Sequence, residues 1–311
     1  MRKKIAKKYD LVSLADINKS ELFEILSLAK KLKTNINFKS NFLKGKNIAL
    51  IFAKPSLRTR VSFEVGINQL GGNPITIKME EISVGTRETT IDIANVLSRY
   101  VNAIVIRTFE QKQIEDLAKF SKVPVINALT NEEHPCQVIS DLFTIHEIFG
   151  TLKGLKLCYV GDGNNVTHSL LIGCALAGLN ISIASPKGYM PDKYFVELSK
   201  KINPKCKITL TTNTKEAVKN ADIIYTDVWT SMGQEKEAKK RNSIFIPYQI
   251  NDKLLSYAAK NAIVLHCLPA HKEQEIAGNT FDRFSEIIYT QAENRLHVQK
   301  AILIKLLSRN N

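Results

Sequence analysis

Short apolar runs alternate with amphipathic stretches from residue 47 onward. The runs at 47–53 (NIALIFA), 75–79, 103–107, 123–127, 155–160, 181–184, 207–211, 222–226 and 262–266 are mostly Ile, Val and Leu. They show little polar alternation, which is how strands buried on both faces of a parallel sheet read. Helix-spaced stripes lie between them. Ser20 reads as an N-cap ahead of Leu22, Ile25, Leu26, Ala29 and Leu32. Phe63, Ile67 and Leu70 form another stripe, which Gly71-Gly72 would end. Pro135 suits the first turn of a helix carrying Ile139, Leu142 and Phe143 and stopping near Gly150. A last helix is expected over about 292–307.

Strand–helix alternation of this kind predicts an α/β fold. Four strands precede the 135–149 helix and five follow it. The expected architecture is two doubly wound parallel-sheet domains, 1–146 and 147–291, with the active site in the cleft between them. The closing helix, 292–311, would pack back on the first domain. No internal repeat or low-complexity tract interrupts the pattern.

In open parallel sheets, ligands bind beyond the carboxyl ends of strands. The unusual polar clusters fall at those places. Lys54-Pro55-Ser56-Leu57-Arg58-Thr59-Arg60 follows the first run, and Arg107 closes the third. Glu132-Glu133-His134-Pro135-Cys136-Gln137 follows the fourth, and Gly161-Asp162-Gly163-Asn164-Asn165 the fifth. Asp227-Val228-Trp229-Thr230-Ser231-Met232-Gly233 follows the eighth, and His266-Cys267-Leu268-Pro269-Ala270-His271 spans the end of the ninth.

The first cluster is the most readable. A helix starting at Ser56 would offer free N–H groups and a positive dipole end to an anion. Ser56 and Thr59 add hydroxyls, and Arg58 and Arg60 add guanidinium groups that grip phosphate. Cations are disfavoured at that end of a helix, so an anion site explains them better than a plain surface cap. It is not a Walker loop, because the glycines and the Lys-Ser/Thr pair are missing. Arg107 also suits a buried salt bridge, and His134 a helix cap. The Gly161–Val166 loop has two glycines of a dinucleotide fingerprint but Val166 in place of the third, and no acid ends the next strand. Asp227 fits an ammonium ligand or a helix cap. His266, Cys267 and His271 lack the paired spacing of a zinc site, so no metal is expected.

Charge narrows the partners. Lys and Arg number 44 against 30 Asp and Glu, a net +14, which favours an anionic ligand. Residues 1–46 alone hold twelve Lys/Arg and four Asp/Glu. The opening Arg2, Lys3, Lys4, Lys7 and Lys8 lack the apolar core of a secretory signal, and no nucleic-acid-binding spacing accompanies them. Neither nucleic acid nor membrane is expected as a partner, since no apolar run approaches the ~18–20 residues of a bilayer span. Five cysteines with no C-x-x-C pair point to a reduced, cytoplasmic protein.

Together these motifs resemble those of the ornithine carbamoyltransferases, within the aspartate/ornithine carbamoyltransferase superfamily. Ser56-Leu57-Arg58-Thr59-Arg60 is similar to the family's S-T-R-T-R phosphate motif, and His134-Pro135-Cys136-Gln137 to its carbamoyl motif. Asp227–Gly233 resembles the D-x-W-x-S-M-G ornithine loop, His266–Pro269 resembles H-C-L-P, and Ala292-Glu293-Asn294-Arg295 resembles the segment supplying a late arginine. Two positions depart from the pattern: Leu57 replaces the usual Thr, and Ser83 stands where many ornithine enzymes carry a neighbouring subunit's glutamine.

The resemblance implies transfer of a carbamoyl group from carbamoyl phosphate to L-ornithine, with no cofactor. It assigns carbamoyl phosphate to Ser56, Leu57, Arg58, Thr59, Ser83, Arg107, His134, Pro135, Cys136, Gln137, Cys267, Leu268 and Arg295. Asn165, Asp227, Ser231 and Met232 would bind ornithine, and Arg107, His134 and Cys267 would be catalytic. It also implies a homotrimer or a multiple of trimers, with segment 80–88 reaching a neighbouring subunit. Another amine, such as putrescine or N-acetylornithine, is the alternative acceptor.

Overall fold

A computed structural model describes residues 9–35, 37–54, 56–78, 88–231 and 233–308. Ser83, Met232, Pro55, most of segment 80–88 and the basic run before residue 9 lie outside the described residues. The chain divides into two compact units, Met1–Ile139 with Asn294–Asn311, and Ser140–Glu293.

The first unit opens with α1 (Lys19–Thr34), β1 (Asn47–Phe52), α2 (Leu57–Gln69) and β2 (Asn73–Lys78). It continues through α3 (Thr90–Tyr100), β3 (Ala103–Arg107), α4 (Gln111–Phe120) and β4 (Val125–Leu129). The four strands form one parallel sheet in the order β2-β1-β3-β4. Ile48 through Ile51 of β1 are all buried, as a two-sided parallel strand requires. One face packs Ala49, Ile51, Ile104 and Ile106 against Ile93 of α3 and Ile114 and Leu117 of α4.

In the first unit the starts of α1, β2 and β4 differ from expectation, β2 beginning at Asn73, two residues before its run. α1 is capped by Asn18 rather than Ser20: the Asn18 side chain accepts from Glu21 N, and the Glu21 carboxylate accepts from Asn18 N. Strand β4 starts two residues later than its apolar run. Val123 packs on the core, but Ser121 Oγ donates to its carbonyl (2.7 Å) and accepts from its N–H (3.1 Å), making a turn there.

α5 (Pro135–Phe149) carries the boundary into the second unit. There follow β5 (Lys156–Val160), α6 (Asn165–Ala177), β6 (Asn180–Ala184), α7 (Lys193–Ile202) and β7 (Ile208–Thr211). Next come α8 (Thr214–Val218), β8 (Ile223–Thr226), α9 (Ala238–Phe245), α10 (Asp252–Leu255) and β9 (Ile263–His266). The last helix, α11 (Gly278–Ser308), begins well before the expected 292. Its first turns read as polar, yet Phe281 and Ile288 enter the unit's core and carry the helix through them. The five-stranded sheet is again all parallel, in the order β7-β6-β5-β8-β9. Every residue of α6 from Val166 to Ala177 is buried, so that helix is apolar all round.

Each sheet has one topological switch point, where successive connections leave in opposite directions: between β1 and β3 in the first unit, between β5 and β8 in the second. The polar clusters following these four strands therefore lie side by side in pairs.

Candidate active site

At the first switch point, β1 runs through Ala53 and Lys54 toward Ser56, the N-cap of α2, whose Oγ accepts from Thr59 N at 3.3 Å. Thr59 is fully buried on the first turn. Its Oγ1 accepts from Arg107 Nη1 at 3.3 Å and from Arg295 Nη2 at 2.7 Å. Both guanidinium groups are buried, so two cations meet at one hydroxyl beside a positive helix end. Arg58 is half-buried on that turn, and Leu57 is 71% exposed. Arg60 is exposed and turns instead to Glu64, 3.4 Å away, so only one of the two arginines expected at the helix start remains available there.

His134 precedes α5 and is buried against the same cations. Burial first, then Arg295 and Arg107, hold its imidazole well below the usual value of 6.5. It is therefore a neutral ring at pH 7. Gln137 is buried one turn on, and its N–H donates to the His134 carbonyl at 3.1 Å. Pro135 opens the helix. Cys136 donates its thiol proton to Asn127 O, and burial pushes the thiol up to about 12, which leaves it inert. Lys54 joins this set. Its ammonium donates to Asn131 Oδ1 at 2.7 Å and lies 4.3 Å from the Phe109 ring centroid. Burial and then the nearby Arg107 push its pKa down.

At the second switch point, Gly163 permits a close turn. A Cβ there would sit 2.2 Å from Pro191 N, so no other residue fits without moving backbone. Asn164 caps α6, and its Nδ2 donates to Asp227 Oδ2 at 2.9 Å. Asn165 follows at the first helical position. Asp227 is buried after β8, and its Oδ1 accepts from Val228 N (2.8 Å) and from Cys267 Sγ (3.0 Å). Ser231 N donates to Gln234 Oε1 at 3.2 Å.

The loop after β9 is fixed by His266. Its Nδ1 accepts from Leu268 N at 2.9 Å, so Nε2 carries the proton and faces Glu275 Oε1 at 3.0 Å. Ligand atoms of Asp227, His266 and Cys267 lie within 4.8 Å of one another, close enough for a metal. Both His266 nitrogens already hold other partners, however, and its ligation would release the loop.

The sequence marks Asp162 only as part of the 161–165 cluster and does not mark Arg241 at all. Arg241 Nη2 pairs with Asp162 Oδ2, and Arg241 Nε donates to Trp229 O at 2.6 Å. Burial pushes the Asp162 carboxyl up to about 6, against the downward pull of Arg241. Arg241 was hidden because Lys239-Lys240-Arg241 reads as a solvated basic face.

The sequence model for the aspartate/ornithine carbamoyltransferase carbamoyl-P binding domain matches residues 9–147, and that for the Asp/Orn binding domain matches 153–306. This chain belongs to the aspartate/ornithine carbamoyltransferase family. An ornithine carbamoyltransferase of Nostoc punctiforme is 51% identical over 300 residues, covering 96% of this chain and 97% of that protein. The Bacillus subtilis ornithine carbamoyltransferase is 50% identical, over 96% of this chain and 93% of that one. Among solved structures, the ornithine carbamoyltransferase from Pyrococcus furiosus superposes with a TM-score of 0.91 at 44% identity, covering 95% of this chain and 96% of that one. The aspartate/ornithine carbamoyltransferase fold thus carries one polar cluster per sheet. The first is cationic, built on Thr59, Arg107, His134 and Arg295. The second is built on Asn164, Asp227 and Cys267.

Proposed function

We propose that this protein is an ornithine carbamoyltransferase: it moves the carbamoyl group of carbamoyl phosphate to the δ-amine of L-ornithine, giving L-citrulline and phosphate. The observation that carries the reading is the meeting of Arg107 and Arg295 on the Thr59 hydroxyl, beside a neutral buried imidazole, at a helix start. The N-terminal half, 1–146 with the closing helix, binds the phosphorylated donor, and the half at 147–291 binds the amino acid.

In the donor site, Ser56, Thr59, Arg58, Arg107 and the backbone at Leu57 take the phosphate oxygens. His134, Gln137, Arg107 and Arg295 surround the carbamoyl group. As the amine attacks, negative charge grows on the carbonyl oxygen, and those donors stabilise it. A new C–N bond forms, the C–O bond to phosphate breaks, and phosphate leaves with the electron pair. Pro135 and Cys136 shape the start of α5 beneath this group.

In the acceptor site, the Asp227 carboxylate pairs with ornithine's α-ammonium, and Asn165, Ser231 and Met232 hold its carboxylate end. Cys267 and Leu268 lie by the reacting amine. The Cys267 thiol donates its proton to Asp227, so the sulfur can take the amine's proton only as a thiolate, after its own proton has left; phosphate and solvent are the other acceptors.

The reaction belongs to arginine metabolism and works as a homotrimer. Leu57, Val61 and Val65 form an exposed stripe along α2, and the neighbouring β2 lies at the sheet's edge among the described strands, with Ile75 exposed. Such a face suits a second copy of the chain. Segment 80–88, with Ser83, follows that strand. The five cysteines are free thiols, four of them buried, and no described helix is long and apolar enough to cross a membrane; both fit the cytoplasm.

The deciding experiment offers carbamoyl phosphate with ornithine, putrescine, N-acetylornithine and aspartate separately and identifies the carbamoylated product. Ornithine is expected to be carbamoylated at least about a hundredfold faster than the others. A preference for any other amine overturns the assignment.

A further inference from the structure

Arg241 is the buried residue in an otherwise solvated Lys-Lys-Arg run on α9, with 3% of its surface exposed. Its guanidinium lies 4.9 Å from the Tyr189 ring centroid and 5.4 Å from that of Phe245. Its edge donates in two directions at once, through Nη2 to Asp162 and through Nε to the Trp229 carbonyl. Only a planar fork does this; an ammonium in its place cannot span both acceptors.

The two partners belong to the two loops that build the acceptor cluster. Asp162 lies two residues before Asn164, which bonds Asp227, and the Asp162 carbonyl accepts from Thr167 Oγ1 at 3.0 Å inside α6. Trp229 lies two residues after Asp227 and two before Ser231. The 227–231 segment does not satisfy all of its own polar groups. Trp229 Nε1 and Thr230 Oγ1 are buried without a hydrogen-bond partner among the described residues. Its placement leans on outside anchors, and the bond to Arg241 is a direct one.

Resting on the ornithine reading above and deepening it, we propose that the buried Asp162–Arg241 pair is a positioning device that locks the 227–231 segment to the 161–165 loop in the geometry that recognises ornithine's amino-acid end. Neither side chain touches the substrate in this account; both act through Trp229 and Asn164.

The test uses the full-length enzyme. Trp229 is the chain's single tryptophan, so its fluorescence reports this segment alone. Arg241→Lys keeps the charge and loses the double donation. Asp162→Asn keeps the size and removes the charge. Each is expected to raise the ornithine KM about tenfold or more, with the carbamoyl phosphate KM unchanged within about twofold. Without substrate, Trp emission shifts to the red and acrylamide quenching increases; saturating ornithine moves both back toward wild type. Glu237→Gln, altering an exposed partner 3.8 Å from Arg241, is expected to change neither.

Unchanged ornithine KM and unchanged emission in both variants overturn the inference. So does an equal rise in both KM values with a lowered melting temperature, or an equal effect in Glu237→Gln. Failure of both variants to fold makes the pair a requirement of the fold and likewise overturns it. Wild-type transfer to ornithine is measured first: its absence removes the functional reading, whereas its presence with unaltered variants removes the positioning role alone.

Discussion

Two guanidinium groups donating to one hydroxyl leave the Thr59 corner strongly cationic, and Arg58 adds a third on the same helical turn. On the proposed reaction, Arg58→Ala would remove a charge-assisted donor from a phosphate that must leave as an anion. Steady-state assays should show kcat/KM falling by about 10²–10³-fold, with the circular dichroism spectrum unchanged. Asp227→Asn keeps the shape of the side chain and removes its charge. It should raise the ornithine KM far more than the carbamoyl phosphate KM. His134 carries a pH prediction. Its proton affinity is depressed in the folded protein, so between the folded value and 6.5 the unfolded chain binds more protons. Stability should therefore be fully present above pH 6.5 and decline as the pH falls below it. Denaturant midpoints of wild type and His134→Gln across pH 5–7 check this: the slope should flatten in the variant.

At the scale of elements, α2 has two faces with different work. Phe63 and Ile67 are fully buried, while Leu57, Val61 and Val65 stay exposed at four-residue spacing. Val61→Glu with Val65→Glu should leave the chain folded and shift sedimentation toward monomer; a trimer that persists at micromolar concentration argues against this face. The nine described strands were legible from sequence because each falls on a short run rich in Ile, Val or Leu, and all but the edge strands β2 and β7 are largely buried. Val123 misled by one turn, since its side chain enters the core while its backbone belongs to Ser121. The first half of α11 was illegible because its Asn, Thr, Ser and Tyr residues have weak helix propensity, and tertiary burial of Phe281 and Ile288 decides. The strand-end clusters were readable because parallel sheets put ligands there. The buried pairing of Arg241 was not, because nothing in a basic run marks which residue turns inward.

At the scale of the molecule, the two sheets repeat one plan, each with its polar cluster at a switch point. Hydrogen exchange should separate their tasks. Carbamoyl phosphate should slow exchange at the start of α2 and the end of β3, and ornithine at 162–166 and 227–231. A ligand at a hundred times its Kd adds about 2.7 kcal/mol to the stability of what it binds. The first unit also contains a late guest. Lys300 of α11 donates to Gln69 Oε1 at 2.7 Å, and its side chain passes Gly66 so closely that a Cβ there would lie 3.1 Å from it. Lys33 reaches Asn294, and Lys305 pairs with Glu24. On the ribosome, then, the half synthesised first is completed last. Its sheet emerges early but waits for some 150 intervening residues to be translated before its closing wall arrives. A nascent chain stalled before residue 294 still lacks Arg295, and so holds an unfinished grip for its anionic substrate.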